Sequence, residues 1–215
     1  MEQKSRKTYQ GAKNNKEQTM TKLLEGVGIV LEEKGYTGLN ATNIAKAAQV
    51  DRKLIKLYFG SLDNLIDTYI RSRDYWLTET ADTTAPLKDD QNVNTKDVLE
   101  KLLIDQLDNF RKNREMQKAV TWQISEKSNI MSEITRNREK VSALFFPLAE
   151  KELANKNIDI RAISSLLVAG IYYLVLHAEH TDSTVCDIEL DDNGFDRVKS
   201  AIKSILNATY SKNDI

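Results

Sequence analysis

Apolar residues recur at spacings of three and four along most of the chain, which is the period of an amphipathic α-helix. The first stripe runs from Met20 to Leu31 and ends before Gly35, a residue suited to a left-handed C-cap. The segments predicted as helices are 16–34, two short segments within 40–59, 62–80, 95–112, 114–127, 130–156, 159–180 and 194–210. The chain is therefore predicted to be all-α.

Two of these helices are short and are separated by a tight turn over residues 48–51. Asn40 is a suitable N-cap for the first, because its side-chain oxygen can accept a bond from a free backbone N–H. Asp51 can cap the second in the same way, and Val50 can fill the gap between the helices. Small residues such as Ala45 allow the helices to cross closely. This order is the sequence outline of a helix-turn-helix, whose second helix enters a DNA major groove.

Three interruptions of the pattern mark boundaries. Residues 81–94 are polar and contain Pro86, which predicts a linker. Pro147 lies inside the segment 130–156 and predicts a kink or break near Phe145 and Phe146. Segment 159–180 is apolar nearly all round from Leu166 to Leu176, so it must be covered on all sides. It is either a central core helix or lies against a second subunit.

Composition and charge narrow the class of protein. Only two prolines and eight glycines occur among 215 residues, as expected of a mostly helical chain. Residues 1–60 carry eleven Lys or Arg against six Asp or Glu, whereas residues 61–215 carry twenty against twenty-six. This asymmetry favours an anionic partner at the N-terminal end. Cys186 is the single cysteine and no signal sequence is recognisable, so we expect a cytoplasmic protein without a membrane span.

The short helices also carry a family resemblance, over about residues 18–70. The residues that carry it are Gly35-Tyr36, Ile44-Ala45-x-x-Ala48-x-Val50, the basic helix Asp51 to Phe59, and Ser61-Leu62-Asp63-Asn64-Leu65. With this combined pattern, the chain resembles the TetR family of bacterial repressors. Three positions depart from the family pattern: Gln49 replaces the usual turn glycine, Lys56 the usual tyrosine, and Leu62 the usual lysine.

The resemblance implies three parts: a flexible basic arm over 1–15, a helix-turn-helix DNA-binding domain over 16–61, and a ligand-binding and dimerisation domain over 62–215. It implies a homodimer that reads a palindromic operator in double-stranded DNA. It also implies a repressor that is released by a small-molecule effector. The alternative is a protein that keeps the fold and senses a ligand or partner without binding a specific operator. Gln49, Lys56 and Leu62 favour that alternative.

Six residues are predicted to contact DNA. Arginine and lysine on the second short helix can donate to guanine acceptors or to phosphates, and a tyrosine hydroxyl can bind phosphate. The N-terminus of the first short helix presents free backbone N–H groups to an anion. The predicted contacts are Asn40, Thr42, Arg52, Lys53, Lys56 and Tyr58. Read without the resemblance, these residues are ordinary surface charges and caps.

A ligand cavity in the C-terminal bundle is implied by the resemblance, since effectors of such proteins bind there. The aromatic residues available to line it include Phe146 and Tyr172, and Gln123 is a further polar candidate. The predicted pocket residues are Phe110, Trp122, Glu126, Phe145, Tyr173 and His177. The simpler interpretation of each is core packing.

No catalytic or metal chemistry is predicted. His177 and His180 can share a helix face near Glu179, which permits a metal ion, but no second ligand cluster follows at a useful spacing. The chain has no G-x-S-x-G, P-loop or H-E-x-x-H motif. We therefore expect no enzyme activity, no metal and no cofactor.

Overall fold

A computed structural model describes residues 11–74 and 93–211, and these residues are all-α, as predicted. Within them a single residue pair, Val185 and Ile188, forms an isolated β-bridge. The helices of the described residues are α1 Gly11–Lys34, α2 Ala41–Ala48, α3 Lys53–Phe59, α4 Leu62–Arg73, α5 Thr95–Lys112, α6 Arg114–Ser125, α7 Asn129–Glu152, α8 Ile160–His180 and α9 Asp192–Tyr210. A short 3-10 turn, Tyr36–Gly38, follows α1.

Packing divides the chain into two units, Met1–Ile70 and Arg71–Ile215. Helix α1 begins at Gly11, five residues before the predicted start of the first helix. Residues 1–10 of the predicted arm lie outside the described residues. So do residues 75–92, which include the predicted end of the fourth helix and most of the predicted linker.

The N-terminal unit is built on the contact between α1 and α2. Leu23, Val27 and Leu31 of α1 and Ile44 of α2 are all buried in its core. At Gly26 an added Cβ would lie 2.9 Å from the Ile44 carbonyl oxygen. A glycine at this position therefore allows the backbones of α1 and α2 to approach closely.

Helix α1 ends at a glycine, although not in the predicted conformation. Gly35 has φ 66° and ψ −173°, so its φ is positive but its ψ is extended rather than left-handed helical. Its N–H still donates to the Leu31 carbonyl over 3.0 Å, which closes the last turn of α1. The prediction of a glycine-specific helix end is confirmed, and the predicted left-handed cap is wrong.

The C-terminal unit is organised around α5, which contacts α6, α7, α8 and α9. Its inward face buries Leu99, Leu103, Leu107 and Phe110, among others. Asn94 caps the helix, because its side-chain oxygen accepts the Asp97 N–H. Thr95, the first residue of α5, makes no such cap.

Thr95 instead joins three parts of the C-terminal unit. Its hydroxyl donates to Glu152 over 2.7 Å and lies 2.9 Å from the Tyr210 hydroxyl. These contacts fasten the start of α5 to the ends of α7 and α9. Burial raises the pKa of Tyr210, so this hydroxyl keeps its proton to higher pH than usual.

Helix α7 continues through Pro147 without a break. A proline removes one intrahelical hydrogen bond, yet Phe145 and Ala149 on either side of it are buried and hold the helix in the core. The packing of these side chains offsets the lost bond, so the predicted break is wrong.

Helix α8 is not the central helix of the unit. It buries Ile160, Ser164, Ile171 and Val175, whereas Leu166 is 75% and Tyr173 58% exposed. Among the described residues it is the one helix long and apolar enough to cross a membrane, and 22% of its most apolar stretch is buried. One side of α8 packs on α5 and the other side is exposed. The prediction of a central core helix is therefore excluded for a single chain.

Candidate nucleic-acid interface and bundle cavity

The turn between α2 and α3 is built as the sequence predicts. Asn40 caps α2, since its Oδ1 accepts the N–H groups of Thr42 at 3.1 Å and Asn43 at 2.9 Å. Asp51 Oδ1 accepts the Lys53 N–H at 2.7 Å, and Arg52 already has helical angles. Asp51 therefore acts as the cap of α3. The two caps fix the directions in which both short helices leave the turn.

The cations of α3 lie on its solvent face. Arg52, Lys53 and Lys56 are exposed, whereas Ile55 is buried against the rest of the N-terminal unit. Leu57 is 69% exposed on the same short helix. An exposed leucine beside cations suits contact with a thymine methyl group in a major groove. Leu54, the other leucine of α3, is half-buried and less accessible for this contact.

Tyr58 and two further lysines extend this surface. Tyr58 is half-buried, and the Lys16 ammonium lies 5.7 Å from its ring centroid. Lys46 lines an open depression between α2 and α3, together with Thr42 and Arg52. Lys16 and Lys46 were not predicted as contacts. The excess of positive charge in residues 1–60 could have indicated them.

Asn40 and Thr42 differ in whether their side chains are free to contact a ligand. The Asn40 side chain is occupied, because its amide also donates to the Gly38 carbonyl over 3.2 Å. Thr42 is exposed at the start of α2. The six predicted DNA contacts remain predictions, and the structure brings all six to α2, α3 and the residues that cap them.

Gln49 ends α2 in the left-handed region, with φ 54° and ψ 43°. A side chain in this region is strained, and glycine relieves the strain at the expense of some entropy. Gln49→Gly is therefore expected to raise the free energy of unfolding by about 0.5–1 kcal/mol, measured by urea denaturation. Lys46→Gly, three residues earlier, is the control and is expected to lower it by about 1 kcal/mol. Equal losses in both variants would contradict the strain.

The C-terminal unit contains a cavity of about 350 Å³ between α5, α6, α7 and α8. Its wall is mainly apolar, with a few hydroxyl, amide and charged groups, as in many small-molecule sites. The residues that line it are Leu99, Leu102, Leu103, Gln123, Thr135, Arg138, Glu139, Ser142, Phe145, Phe146, Ser164, Ser165, Val168, Ala169 and Tyr172.

Of the six predicted pocket residues, Phe145 lines this cavity. Phe110 does not line the cavity but packs against Tyr172, which does. Their ring centroids are 4.9 Å apart in an edge-to-face contact. The other four lie elsewhere. Trp122 donates to Glu126 over 2.8 Å, and Tyr173 is exposed beside His177, which is hydrogen-bonded to Ser183. Their roles as ligand contacts remain predictions.

Arg138 is a charged residue of the cavity wall that was not predicted from the sequence. Its Nε donates to Asp74 Oδ2 over 2.6 Å, and its Nη1 donates to Gln123 Oε1 over 2.9 Å. The Asp74 side chain is 1% and the Arg138 side chain 10% exposed, so this is a buried ion pair. The partners are 64 residues apart, and no local pattern in the sequence indicates that they meet.

The outer edge of the cavity carries a second, exposed ion pair. The Arg161 guanidinium lies 4.7 Å from the centroid of the Phe146 ring and donates to Glu150 over 2.5 Å. This hydrogen bond lowers the pKa of the Glu150 carboxyl. Among the described residues, no group of three His, Cys, Asp or Glu side chains is placed to hold a metal ion.

No family model matches the chain, and no curated protein sequence is significantly similar to it. Solved structures do match. A TetR-like transcriptional regulator from Rhodococcus sp. RHA1 has a TM-score of 0.61 and 17% identity, over 90% of this chain and 97% of that one. NalD, the secondary repressor of the MexAB-OprM multidrug efflux pump in Pseudomonas aeruginosa, has a TM-score of 0.62 and 15% identity, over 94% and 100%.

A further match is the transcriptional regulator FadR from Bacillus subtilis in complex with stearoyl-CoA. Its TM-score is 0.62 and its identity 13%, over 89% of this chain and 97% of that one. The chain therefore has the fold of the TetR-like transcriptional regulators. This confirms the predicted fold class and the resemblance first seen in residues 18–70.

Proposed function

We propose that the protein is a homodimeric, cytoplasmic transcriptional regulator that binds a specific palindromic DNA site and has no catalytic activity. The observation that carries this proposal is α3, where Arg52, Lys53 and Lys56 are exposed on a short helix held by two capped turns. Structural neighbours at low identity include a named repressor, NalD, and a named regulator, FadR. They support regulation of transcription, and repression is the expected direction.

The proposed DNA contacts are of two kinds: those that position the protein on the duplex and those that read the base sequence. Arg52 and Lys53, near the N-terminus of α3, are placed to donate to guanine or to phosphate. Lys56 and Tyr58 suit phosphate contacts, which set the register without reading sequence. Thr42 is exposed at the start of α2, and its hydroxyl suits a phosphate contact.

Selection of bound sequences from random duplex DNA tests this proposal. We expect recovery of two inverted half-sites whose centres are about one DNA turn or more apart, because a two-fold dimer presents two copies of α3. Recovery of no preferred sequence would contradict it. That result, combined with ligand binding, would support the alternative of a ligand-sensing protein that keeps the fold.

The dimer is proposed to form through α8 and α9. Leu166 and Tyr173 of α8 and Ile205 of α9 are exposed apolar residues. At Gly170 an added Cβ would have no atom within 4 Å, so the bare face of α8 leaves room for another helix. Two copies of α8 and α9 would form a four-helix interface that covers these residues. A helix packed on one side and apolar on the other suits such an interface better than a membrane.

Leu166→Glu is expected to weaken the dimer by more than about tenfold, because it buries an unpaired charge at the centre of the proposed interface. Light scattering should then report the 24.5 kDa chain rather than twice that mass at micromolar concentration. Ile124→Glu is the matched control, since Ile124 is 71% exposed on α6, and should leave the mass unchanged. A wild-type protein that is monomeric at micromolar concentration would refute the interface.

The cavity is proposed as the effector site. Ligand binding there would favour one of two conformations of the dimer and so change the affinity for DNA. Asp74 directly follows α4 and is bonded to Arg138 in the cavity wall. This ion pair is the proposed link between the ligand and the end of α4. By this mechanism an effector would release the repressor from its operator.

A further inference from the structure

The cavity contains one buried cation whose donors are only partly used. Arg138 Nε and Nη1 are engaged by Asp74 and Gln123. Within the described residues no hydrogen bond involves Arg138 Nη2. Because a guanidinium carries five N–H donors and cannot lose its charge, Nη2 remains available to an acceptor in the cavity.

The hydroxyl groups of the cavity offer few competing donors. Thr135, Ser164 and Ser165 each donate to the carbonyl four residues earlier in their own helices, over 2.9, 2.7 and 2.8 Å. Their oxygens can still accept a bond, but their protons are occupied. Among the remaining donors of the lining, Arg138 Nη2 is charged, whereas the Gln123 amide and the Ser142 hydroxyl are neutral, so Arg138 Nη2 offers a ligand acceptor the stronger bond.

The charge around this donor is unfavourable for an anion. Asp74 already balances Arg138 at 2.6 Å, and Glu139 adds a second carboxylate to the cavity lining. A ligand carboxylate at Nη2 would be buried without a cation of its own, because Asp74 already neutralises Arg138, and such a carboxylate is strongly disfavoured. An uncharged carbonyl would gain the Nη2 bond while leaving the ion pair intact.

We infer that the effector is an uncharged, mainly apolar molecule with a hydrogen-bond acceptor, such as an amide, ketone or ester, and that Arg138 and Asp74 together exclude carboxylates. The cavity volume of about 350 Å³ lies near the lower end of ligand sites, which favours a compact molecule. The inference rests on the proposed function only in taking this cavity as the effector site.

Octanoate and octanamide test the inference, because they have the same number of heavy atoms and differ in charge at pH 7.5. Isothermal titration of the wild-type chain is expected to show at least about tenfold tighter binding of octanamide, a difference of about 1.4 kcal/mol. A third probe, 2-nonanone, carries an acceptor without a donor and should resemble octanamide. Octanoate binding as tightly as octanamide would overturn the inference, and so would binding of neither neutral probe.

Two variants test whether the carboxylates of Asp74 and Glu139 cause the preference for neutral ligands. Asp74→Asn removes the competing charge and should reverse the preference towards octanoate. Glu139→Gln changes an exposed residue and should reduce the ratio severalfold without affecting folding, which circular dichroism checks in both variants. Unchanged ratios in both variants would overturn the role of Asp74 and Glu139. The random-duplex selection without ligand decides the proposed DNA function separately, so the two failures are distinguishable.

Discussion

Asp74→Ala is expected to lower the free energy of unfolding by about 3–5 kcal/mol, because it leaves the buried Arg138 guanidinium without its counter-charge. Asp74 is fully buried, and its bond to Arg138 measures 2.6 Å. The loss exceeds that from a surface ion pair because water cannot solvate the abandoned charge. Urea denaturation measures the change through the midpoint and slope.

Asp192→Ala is the matched control for Asp74→Ala. Asp192 also accepts a hydrogen bond from an arginine, Arg111, at 2.7 Å, but its side chain is 97% exposed. The pKa of Asp192 is lowered by this hydrogen bond, yet solvent screens the interaction and the loss of stability should be much smaller. Equal losses in the two variants would contradict the burial of the Arg138 pair.

The second large effect is expected at α3. Replacing both Lys53 and Lys56 with alanine should weaken DNA binding about thirtyfold at 0.15 M salt, since each released phosphate contact contributes about fivefold there. The slope of log affinity against log salt should fall in magnitude by about two. Fluorescence anisotropy with a labelled duplex measures both quantities.

The double variant Lys127→Ala and Lys140→Ala is the control for this experiment. Both lysines are exposed in the C-terminal unit, and the variant changes the net charge of the chain by the same amount. We expect its affinity and salt slope to match the wild type closely. If both double variants weaken binding equally, net charge rather than α3 determines the affinity.

The parts of the fold that follow from local chemistry could be predicted from the sequence. The helical period identified the helices because burial of one face repeats within each segment. Asn40 and Asp51 were recognised as caps because a cap bonds to backbone groups two or three residues away. Gln49 occupies the position where the family usually has glycine. Its positive φ explains why glycine is usual there.

The cavity could not be predicted because its walls come from four helices whose arrangement depends on long-range packing. The aromatic content of the bundle suggested Phe145, Phe146 and Tyr172, which line the cavity, but it could not separate cavity residues from ordinary core residues such as Phe110. The Arg138–Asp74 pair spans 64 residues. A single charged residue in an amphipathic helix gives no indication of such a partner.

The position of α8 shows a similar limit. Its nearly continuous apolar sequence was compatible with a central helix or with a subunit interface. In the structure the central place belongs to α5, whose sequence is more polar but whose buried face meets four other helices. The hydrophobicity of a helix indicates how much of its surface must be buried. The packing of the whole unit determines which neighbours bury it.

This chain is proposed to read a DNA sequence through α3. Anisotropy titration of the wild-type protein with its selected duplex and with a scrambled duplex, both at 0.15 M salt, tests it most directly. We predict a preference of at least about a thousandfold for the selected duplex, as is typical of specific DNA-binding proteins. Equal affinities for the two duplexes, with the same salt slope, would contradict the claim.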